Sequence, residues 1–207
     1  IENLDIISAK EVDGKNNSLI YNALHSEKGD YPSYFLKQSS FFTVSGVNND
    51  TQEGMISENG MVEVEKGAYS IEPMLIINNK LYNWNNVEVT QTMGKSTKPS
   101  EFQFIPGVNW KLPNINLSTE ITSAGEANVN SNLYIKYTLS NTSNAEQKLN
   151  FLALIRPFQV NPYYQFLNLE GGVGKIENIQ KLDNQSVLVD GKTLYSSIPF
   201  NNFSSFS

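Results

Sequence analysis

Apolar and polar residues alternate along most of the chain, in short runs separated by turn residues. The runs with a clear period of two are residues 41–47, 87–92, 115–121 and 132–139. Because successive side chains of a strand point to opposite faces, this period predicts strands with one face in a core. Residues 149–155 form a more continuous apolar run, which predicts a central strand buried on both faces.

Residues 61–65 alternate apolar and acidic side chains. This pattern predicts a half-exposed strand on which Glu63 and Glu65 share a solvated face. Asn59 and Gly60 stand directly before it and are a turn signal.

Two tight hairpins are predicted from their turn residues, Asn78-Asn79 and Asp190-Gly191, each of which lies between two apolar runs. Helical periodicity is limited to one short turn over residues 19–24. About ten short strands, with turn signals about every 8–12 residues, predict an all-β antiparallel sandwich with little helix.

Composition narrows the functional classes. The chain has 207 residues, a net charge of −6 and no cysteine. We expect one β-sandwich domain over residues 1–207. The negative charge argues against nucleic acid or an anionic membrane surface as a partner, and the lack of cysteine excludes disulfides and thiolate chemistry. No apolar run approaches the roughly 18 residues of a membrane span, and no motif indicates a cofactor or a bound metal.

Candidate catalytic chemistry is sparse. The single histidine, His25, lies in a polar stretch and is predicted to be an exposed loop residue. Glycoside hydrolysis uses two carboxylates about 5–9.5 Å apart, so a pair of acids is the other option. The acids considered are Glu63, Glu65, Glu72, Glu88, Glu101, Glu120, Glu126 and Glu170.

Two loops have compositions that occur in binding loops. Residues 48–54, NNDTQEG, offer oxygen ligands for calcium, but turns rich in Asn and Asp are commonly turns only. The glycine-rich run 171–174 lacks the lysine and the Ser/Thr that end a phosphate-binding loop. A sharp loop or a β-bulge is therefore predicted at 171–174.

The segment 156–168, RPFQVNPYYQFLN, differs from the rest of the chain. Two prolines bar it from a central strand, and it combines arginine, amide and aromatic groups that suit sugar recognition. The candidate ligand-binding residues are Trp84, Trp110, Arg156, Gln159, Asn161, Tyr163, Tyr164 and Gln165. The alternative is a buried loop whose aromatic rings close one end of the sandwich, with Arg156 bonded to loop carbonyl groups.

Three stretches carry a resemblance to a known family: IEPMLIINNKLYNWNNV at 71–87, IPGVNW at 105–110, and RPFQVNPYYQFLN with the following GGV at 156–173. They resemble the N-terminal β-sandwich, of the galactose-mutarotase-like supersandwich type, of large bacterial glycoside-hydrolase-like proteins. In that architecture an (α/α) toroid follows the sandwich and carries the catalytic acids. The resemblance implies that this chain is an N-terminal fragment of an exported protein acting on polysaccharide, with its signal peptide removed. It also implies a downstream catalytic domain as partner and no catalytic residue in this chain.

Three functions remain open. The first is a non-catalytic structural or accessory module that docks on the catalytic domain, for which we expect a broad apolar patch on one sheet face. The second is an independent glycan-binding module, which requires exposed aromatic rings and has polysaccharide as its ligand. The third is a self-sufficient glycoside hydrolase that uses a carboxylate pair.

Overall fold

The computed structural model describes residues 14–96, 103–165, 167 and 169–205. These residues form one α-helix, α1 (Gly14–His25), and two 3₁₀ helices, Ser33–Leu36 and Trp84–Asn86. The strands are β1 (Phe42–Gly46), β2 (Glu53–Ser57), β3 (Val62–Glu63), β4 (Ser70–Ile77), β5 (Lys80–Tyr82), β6 (Glu88–Lys95), β7 (Phe104–Lys111), β8 (Ile115–Ala124), β9 (Asn132–Asn141), β10 (Leu149–Arg156), β11 (Ile179–Lys181), β12 (Ser186–Val189) and β13 (Lys192–Tyr195).

The described strands form three sheets, and every strand pair is antiparallel. The larger main sheet has the order β1-β2-β3-β4-β10, and β5 pairs with the end of β4. The second main sheet is four-stranded, with the order β6-β7-β8-β9, and a small third sheet has the order β11-β12-β13. The prediction of an all-β antiparallel sandwich with little helix is confirmed.

The main core lies between the two main sheets. On β8, Ile115 and Leu117 point into this core, whereas Asn116 between them is exposed. Val62 and Leu75 reach the same core from the larger sheet. Full burial of each such apolar side chain stabilises the fold by roughly 1.5–3 kcal/mol, which is why the period of two decides the fold class.

Both predicted hairpins are present. Asn78 and Asn79 join β4 to β5 with φ angles of 50° and 62°, and Asp190 and Gly191 join β12 to β13 with 47° and 83°. Positive φ at both central residues is the geometry of a type I′ turn, whose twist matches that of the flanking strands. Asn, Asp and Gly tolerate this region better than other residues, so the turn residues set the register of both hairpins.

A further layer packs on the outer face of the larger sheet, which is the face turned away from the four-stranded sheet. It consists of α1, the 3₁₀ helix Ser33–Leu36 and the loop 157–173, and we call it the cover. Ala23, Phe35 and Val160, one from each piece, are buried there in one cluster with Met55 and Met61.

The helix in the cover is longer than the single turn predicted over 19–24. Its sequence, GKNNSLIYNALH, contains three asparagines and a serine, which have low helix propensity and obscure the helical period. Leu19, Ile20 and Ala23 pack in the cluster of the cover, so tertiary packing stabilises a helix that local propensity does not predict. Among the described residues, no helix has the length and apolar character needed to cross a membrane.

The prediction of a central strand at 149–155 is wrong. Among the described strands, β10 pairs with β4 alone and forms an edge of the larger sheet, and its residues are half-buried or exposed. Phe151 packs on the main core, while Leu152 and Leu154 lie on the opposite face of the strand. Apolar residues therefore occupy both faces of β10, although no described strand pairs with its other edge.

The cross-strand partners Leu117 and Leu139 provide a matched test of the core. They face each other on β8 and β9, but Leu117 is 1% exposed and Leu139 is 39% exposed. We expect Leu117→Ala to lower the free energy of unfolding by about 2–5 kcal/mol, because it leaves a cavity. Leu139→Ala should lower it by less than about 1 kcal/mol in the same urea titration. Equal losses would contradict this assignment of the core.

Candidate functional site

The segment 156–168 begins at the end of β10 and continues into the loop 157–173 of the cover. Phe166 and Asn168 of this segment lie outside the described residues. The rest of the segment crosses the outer face of the larger sheet, where Phe158 and Val160 are buried in the cluster of the cover. The segment is thus a packed loop rather than an extension of the sheet.

The glycine-rich run closes this loop. The backbone N–H of Gly172 donates to the carbonyl oxygen of Asn161 at 2.7 Å, and Gly172 has a φ angle of 99°. A Cβ on Gly171 would lie 2.2 Å from the carbonyl oxygen of Pro162. The predicted sharp loop is confirmed, because only glycine permits so close an approach of two chain segments.

Glu63 is the residue that ties this loop to the sheet. Its side chain is fully buried, and its Oε1 accepts the backbone N–H of Gly67 at 2.6 Å. Its Oε2 accepts the N–H groups of Val160 at 2.7 Å and Asn161 at 3.2 Å. The prediction of a solvated face for Glu63 is wrong, because β3 lies between β2 and β4 and the cover lies over it.

Burial raises the pKa of Glu63 from its ordinary 4.5 to about 7, because a charged carboxylate loses its hydration inside the protein. The N–H groups of Gly67, Asn161 and Val160 favour the charged form and oppose this shift, as does the positive charge of Lys66. Burial outweighs them, so Glu63 titrates near neutral pH.

Arg156 and Glu72 form a second polar contact under the cover. Arg156 Nη1 donates to Glu72 Oε2 at 2.9 Å, and both side chains are largely buried. The other guanidinium nitrogen, Nη2, donates to the carbonyl oxygen of Asp30, and the guanidinium lies over the ring of Phe158. Burial raises the pKa of Glu72, while the charge of Arg156 and its hydrogen bond oppose this shift. The guanidinium thus binds a carboxylate and a loop carbonyl of the protein itself.

Aromatic rings fill the space beneath the loop. The hydroxyl of Tyr34 is directed at the carbonyl oxygens of Gln159, at 2.7 Å, and Gly172, at 2.9 Å. The rings of Phe35 and Tyr163 stack with their centroids 5.6 Å apart and an interplanar angle of 15°. The loop is therefore held by hydrogen bonds and ring packing from the 3₁₀ helix Ser33–Leu36.

Most other candidate residues of the segment also contact the protein itself. Gln159 Nε2 donates to the carbonyl oxygen of Gly67 at 2.8 Å, and Asn161 Nδ2 donates to that of Gln165 at 3.2 Å. Tyr164 differs, because the residue is 55% exposed, although its hydroxyl donates to the carbonyl oxygen of Gln38 at 3.3 Å.

The two tryptophans do not join the segment. Trp110 is buried in the main core, and its Nε1 donates to the carbonyl oxygen of Asn59 at 2.9 Å. Trp84 begins the second 3₁₀ helix and packs, half-buried, on the same core. Both rings are thus used in packing between the sheets.

The remaining catalytic and metal candidates have local roles. His25 is exposed as predicted, but it ends α1 rather than lying in a loop, and it stacks on Tyr21 at 4.1 Å. In the loop 48–54, Asp50 Oδ1 accepts the backbone N–H of Gln52 at 3.0 Å. In the described part of the chain, no three His, Asp or Glu residues converge as metal ligands. Glu101 lies outside the described residues.

A cleft of about 370 Å³, which the sequence did not indicate, opens at one end of the sandwich. Residues of β2, β4, β8, β9 and β13 line it, together with adjoining loop residues. Glu65 forms an ion pair with Lys192 in its wall. Because these residues come from distant parts of the chain, no local sequence pattern marks the cleft.

The buried carboxylate of Glu63 makes folding stability depend on pH. Its pKa is higher in the folded than in the unfolded chain, so the folded state binds more protons between about pH 4.5 and 7 and loses stability as the pH rises through this window. At about 1.4 kcal/mol per pKa unit, we expect a loss of about 2–4 kcal/mol in urea unfolding. Glu63→Gln should remove this loss, whereas the exposed control Glu88→Gln should keep it. An unchanged slope in Glu63→Gln would contradict the assignment.

Comparisons with known proteins give no match for this chain. No protein-family model matches the chain, and no curated protein or solved structure is significantly similar to it.

Proposed function

We propose that this chain is a non-catalytic β-sandwich module of a larger, exported carbohydrate-active protein. In this proposal it packs against a downstream catalytic domain of the same polypeptide and does not itself hydrolyse glycan. The family resemblance of the three sequence stretches supports the carbohydrate-active part of the proposal. The contacts of the buried acids support the non-catalytic part.

Glu63 and Glu72 are the acids whose placement most resembles a catalytic pair. They lie on one face of neighbouring strands, since Glu63 pairs with Ser70 and Glu72 follows two residues later on β4. Both acids bind groups of the protein, namely three backbone N–H groups for Glu63 and the guanidinium of Arg156 for Glu72. A catalytic pair must reach a glycosidic bond. These internal contacts favour a structural role, and they are the observation that carries the proposal.

A docked domain requires an apolar surface. On the outer face of the larger sheet, exposed Leu81 lies opposite half-buried Ile76, and half-buried Leu152 is on the same face of β10. In contrast, a polar row crosses the outer face of the four-stranded sheet: Thr90, Asn109, Ser118 and Thr138. The apolar strip is narrower than the broad patch expected from the sequence, and it is where we place the docked domain.

The proposal is tested by an assay of hydrolysis. We expect the purified chain to release no reducing sugar from xylan, mannan, pectin or starch above the level of a heat-denatured sample, because its buried acids are bound to the protein. Glu63→Gln and Glu72→Gln are the matched variants. Hydrolysis by the wild type that either substitution abolishes would contradict the proposal and favour a self-sufficient hydrolase.

A second function, glycan binding through the segment, is favoured by the exposure of Tyr164. An exposed aromatic ring offers a flat amphipathic face that suits a sugar ring. Tyr134 has the same exposure, 55%, and lies on β9 in the four-stranded sheet, away from the segment.

For this second function we expect Tyr164→Ala to weaken polysaccharide binding by at least about tenfold in calorimetric titration, through loss of the stacking face. The matched control Tyr134→Ala should bind as the wild type does. Saturable binding lost only in Tyr164→Ala would place this function above the structural one. An equal loss in both variants, or no binding by the wild type, would contradict it.

A further inference from the structure

The cleft at the end of the sandwich has the size of a small-molecule site. Its volume of about 370 Å³ lies within the range of roughly 300–1,000 Å³ that is usual for ligand pockets. Its lining combines residues of both main sheets with those of β13 from the third sheet. None of the described residues of the segment 156–168 line it.

An apolar lining forms one part of the cleft. Val64, Ile71, Leu133, Ile135 and Leu194 contribute to it. Ile71 forms a third buried cluster with Tyr69, Val187 and Val189. Val64, Ile135 and Leu194 pack against this cluster. This lining is therefore held by the protein core and suits the C–H groups of a ligand.

An ion pair forms part of the polar wall. Glu65 and Lys192 are paired, and their side chains retain 29% and 48% exposure. Partial burial lowers the pKa of Lys192. Because Glu65 and Lys192 are already paired and Glu53 adds a further carboxylate to the lining, the cleft favours a neutral ligand with hydroxyl groups over a simple anion. A hydroxyl group both donates and accepts hydrogen bonds, so one ligand hydroxyl can interact with Glu65 and Lys192 without separating them.

Tyr69 supplies an independent indication of a ligand. It lines the cleft and is 2% exposed, and its hydroxyl has no hydrogen-bond partner among the described residues. Burial raises its pKa to about 12, so the hydroxyl stays protonated and able to donate. Buried polar groups are usually satisfied, so the unpaired hydroxyl of a residue that lines the cleft is available to donate to a ligand there.

Apart from the exposed carboxylate of Glu53, the other described polar groups around the cleft bear no charge. The amides Gln52 and Asn132 and the hydroxyl residues Ser131 and Thr193 line it. Amides and hydroxyls both donate and accept, which matches a ligand that presents hydroxyl groups in several directions.

We infer that this cleft binds a neutral polyhydroxylated molecule of about the size of a monosaccharide. The hydroxyl of Tyr69 donates to it, the ion pair of Glu65 and Lys192 binds one of its hydroxyl groups, and its C–H groups lie on the apolar lining. This site is separate from the segment and from the buried acids, so its test and the tests of the proposed function can fail independently.

The test is an NMR titration of the ¹⁵N-labelled chain with D-glucose, D-galactose and myo-inositol, each up to about 100 mM, which covers millimolar dissociation constants. Sodium acetate and inorganic phosphate serve as ionic probes. We expect at least one neutral probe to cause saturable amide shifts at Gly54, Glu65, Leu133 and Thr193. Tyr69→Phe should weaken this binding about tenfold, because it removes one hydrogen bond to the ligand.

Tyr137→Phe is the matched control. Tyr137 also carries a buried hydroxyl without a partner among the described residues, but it packs on the main core and is not part of the cleft lining. This control should bind the neutral probe as the wild type does. If Tyr69→Phe fails to fold, Lys192→Met replaces it, with Lys136→Met, at an exposed ion pair on the four-stranded sheet, as its control.

Three results would overturn the inference. The first is the absence of saturable shifts at the cleft with every neutral probe. The second is equal weakening in the cleft variant and its control. The third is binding of acetate or phosphate at the cleft in preference to the neutral probes.

Discussion

The buried carboxylate of Glu63 is the interaction on which the arrangement of the cover depends. Its two oxygens accept N–H groups from both sides: Gly67, in the loop after β3, and Val160 and Asn161, in the loop 157–173. A carboxylate removed from water has to be satisfied by protein donors, and here the backbone N–H groups of Gly67, Val160 and Asn161 satisfy it. These bonds therefore fix the loop 157–173 on the outer face of the larger sheet, over its middle strand β3.

The pair of Arg156 and Glu72 acts on the same face, at the start of that loop. Arg156 also binds the carbonyl oxygen of Asp30, just before the first 3₁₀ helix, so that one guanidinium connects β4, β10 and the N-terminal part of the cover. A buried ion pair adds little net stability because both charges lose hydration, but removing one partner is costly. Such contacts determine where the cover lies more than how stable the fold is.

These contacts change how the unusual segment is interpreted. Arginine, amides and aromatic rings suit sugar recognition, but the same groups satisfy a buried loop when the protein supplies their partners. In this chain, Arg156, Gln159 and Asn161 have internal partners, and Tyr164 keeps an exposed ring. The hydroxyl of Tyr69, in the cleft at the end of the sandwich, lacks a described partner, and so do the buried side-chain oxygens of Gln159 and Asn161 in the segment. The composition of a segment does not show which of its groups are free, because that depends on residues far away in the chain.

The sequence by itself determined the fold class, most strands and both tight hairpins, because alternation and turn residues act over a few neighbouring positions. It also located the sharp glycine loop, where close approach requires glycine. Only the tertiary structure decided the burial of Glu63, the edge position of β10 and the full length of α1. Each of these depends on what packs against the element from elsewhere in the chain. The cleft was likewise decided by the tertiary structure, because the five strands that line it meet only when the sheets assemble. Burial and the choice of hydrogen-bond partners are properties of the assembled fold and not of a local sequence pattern.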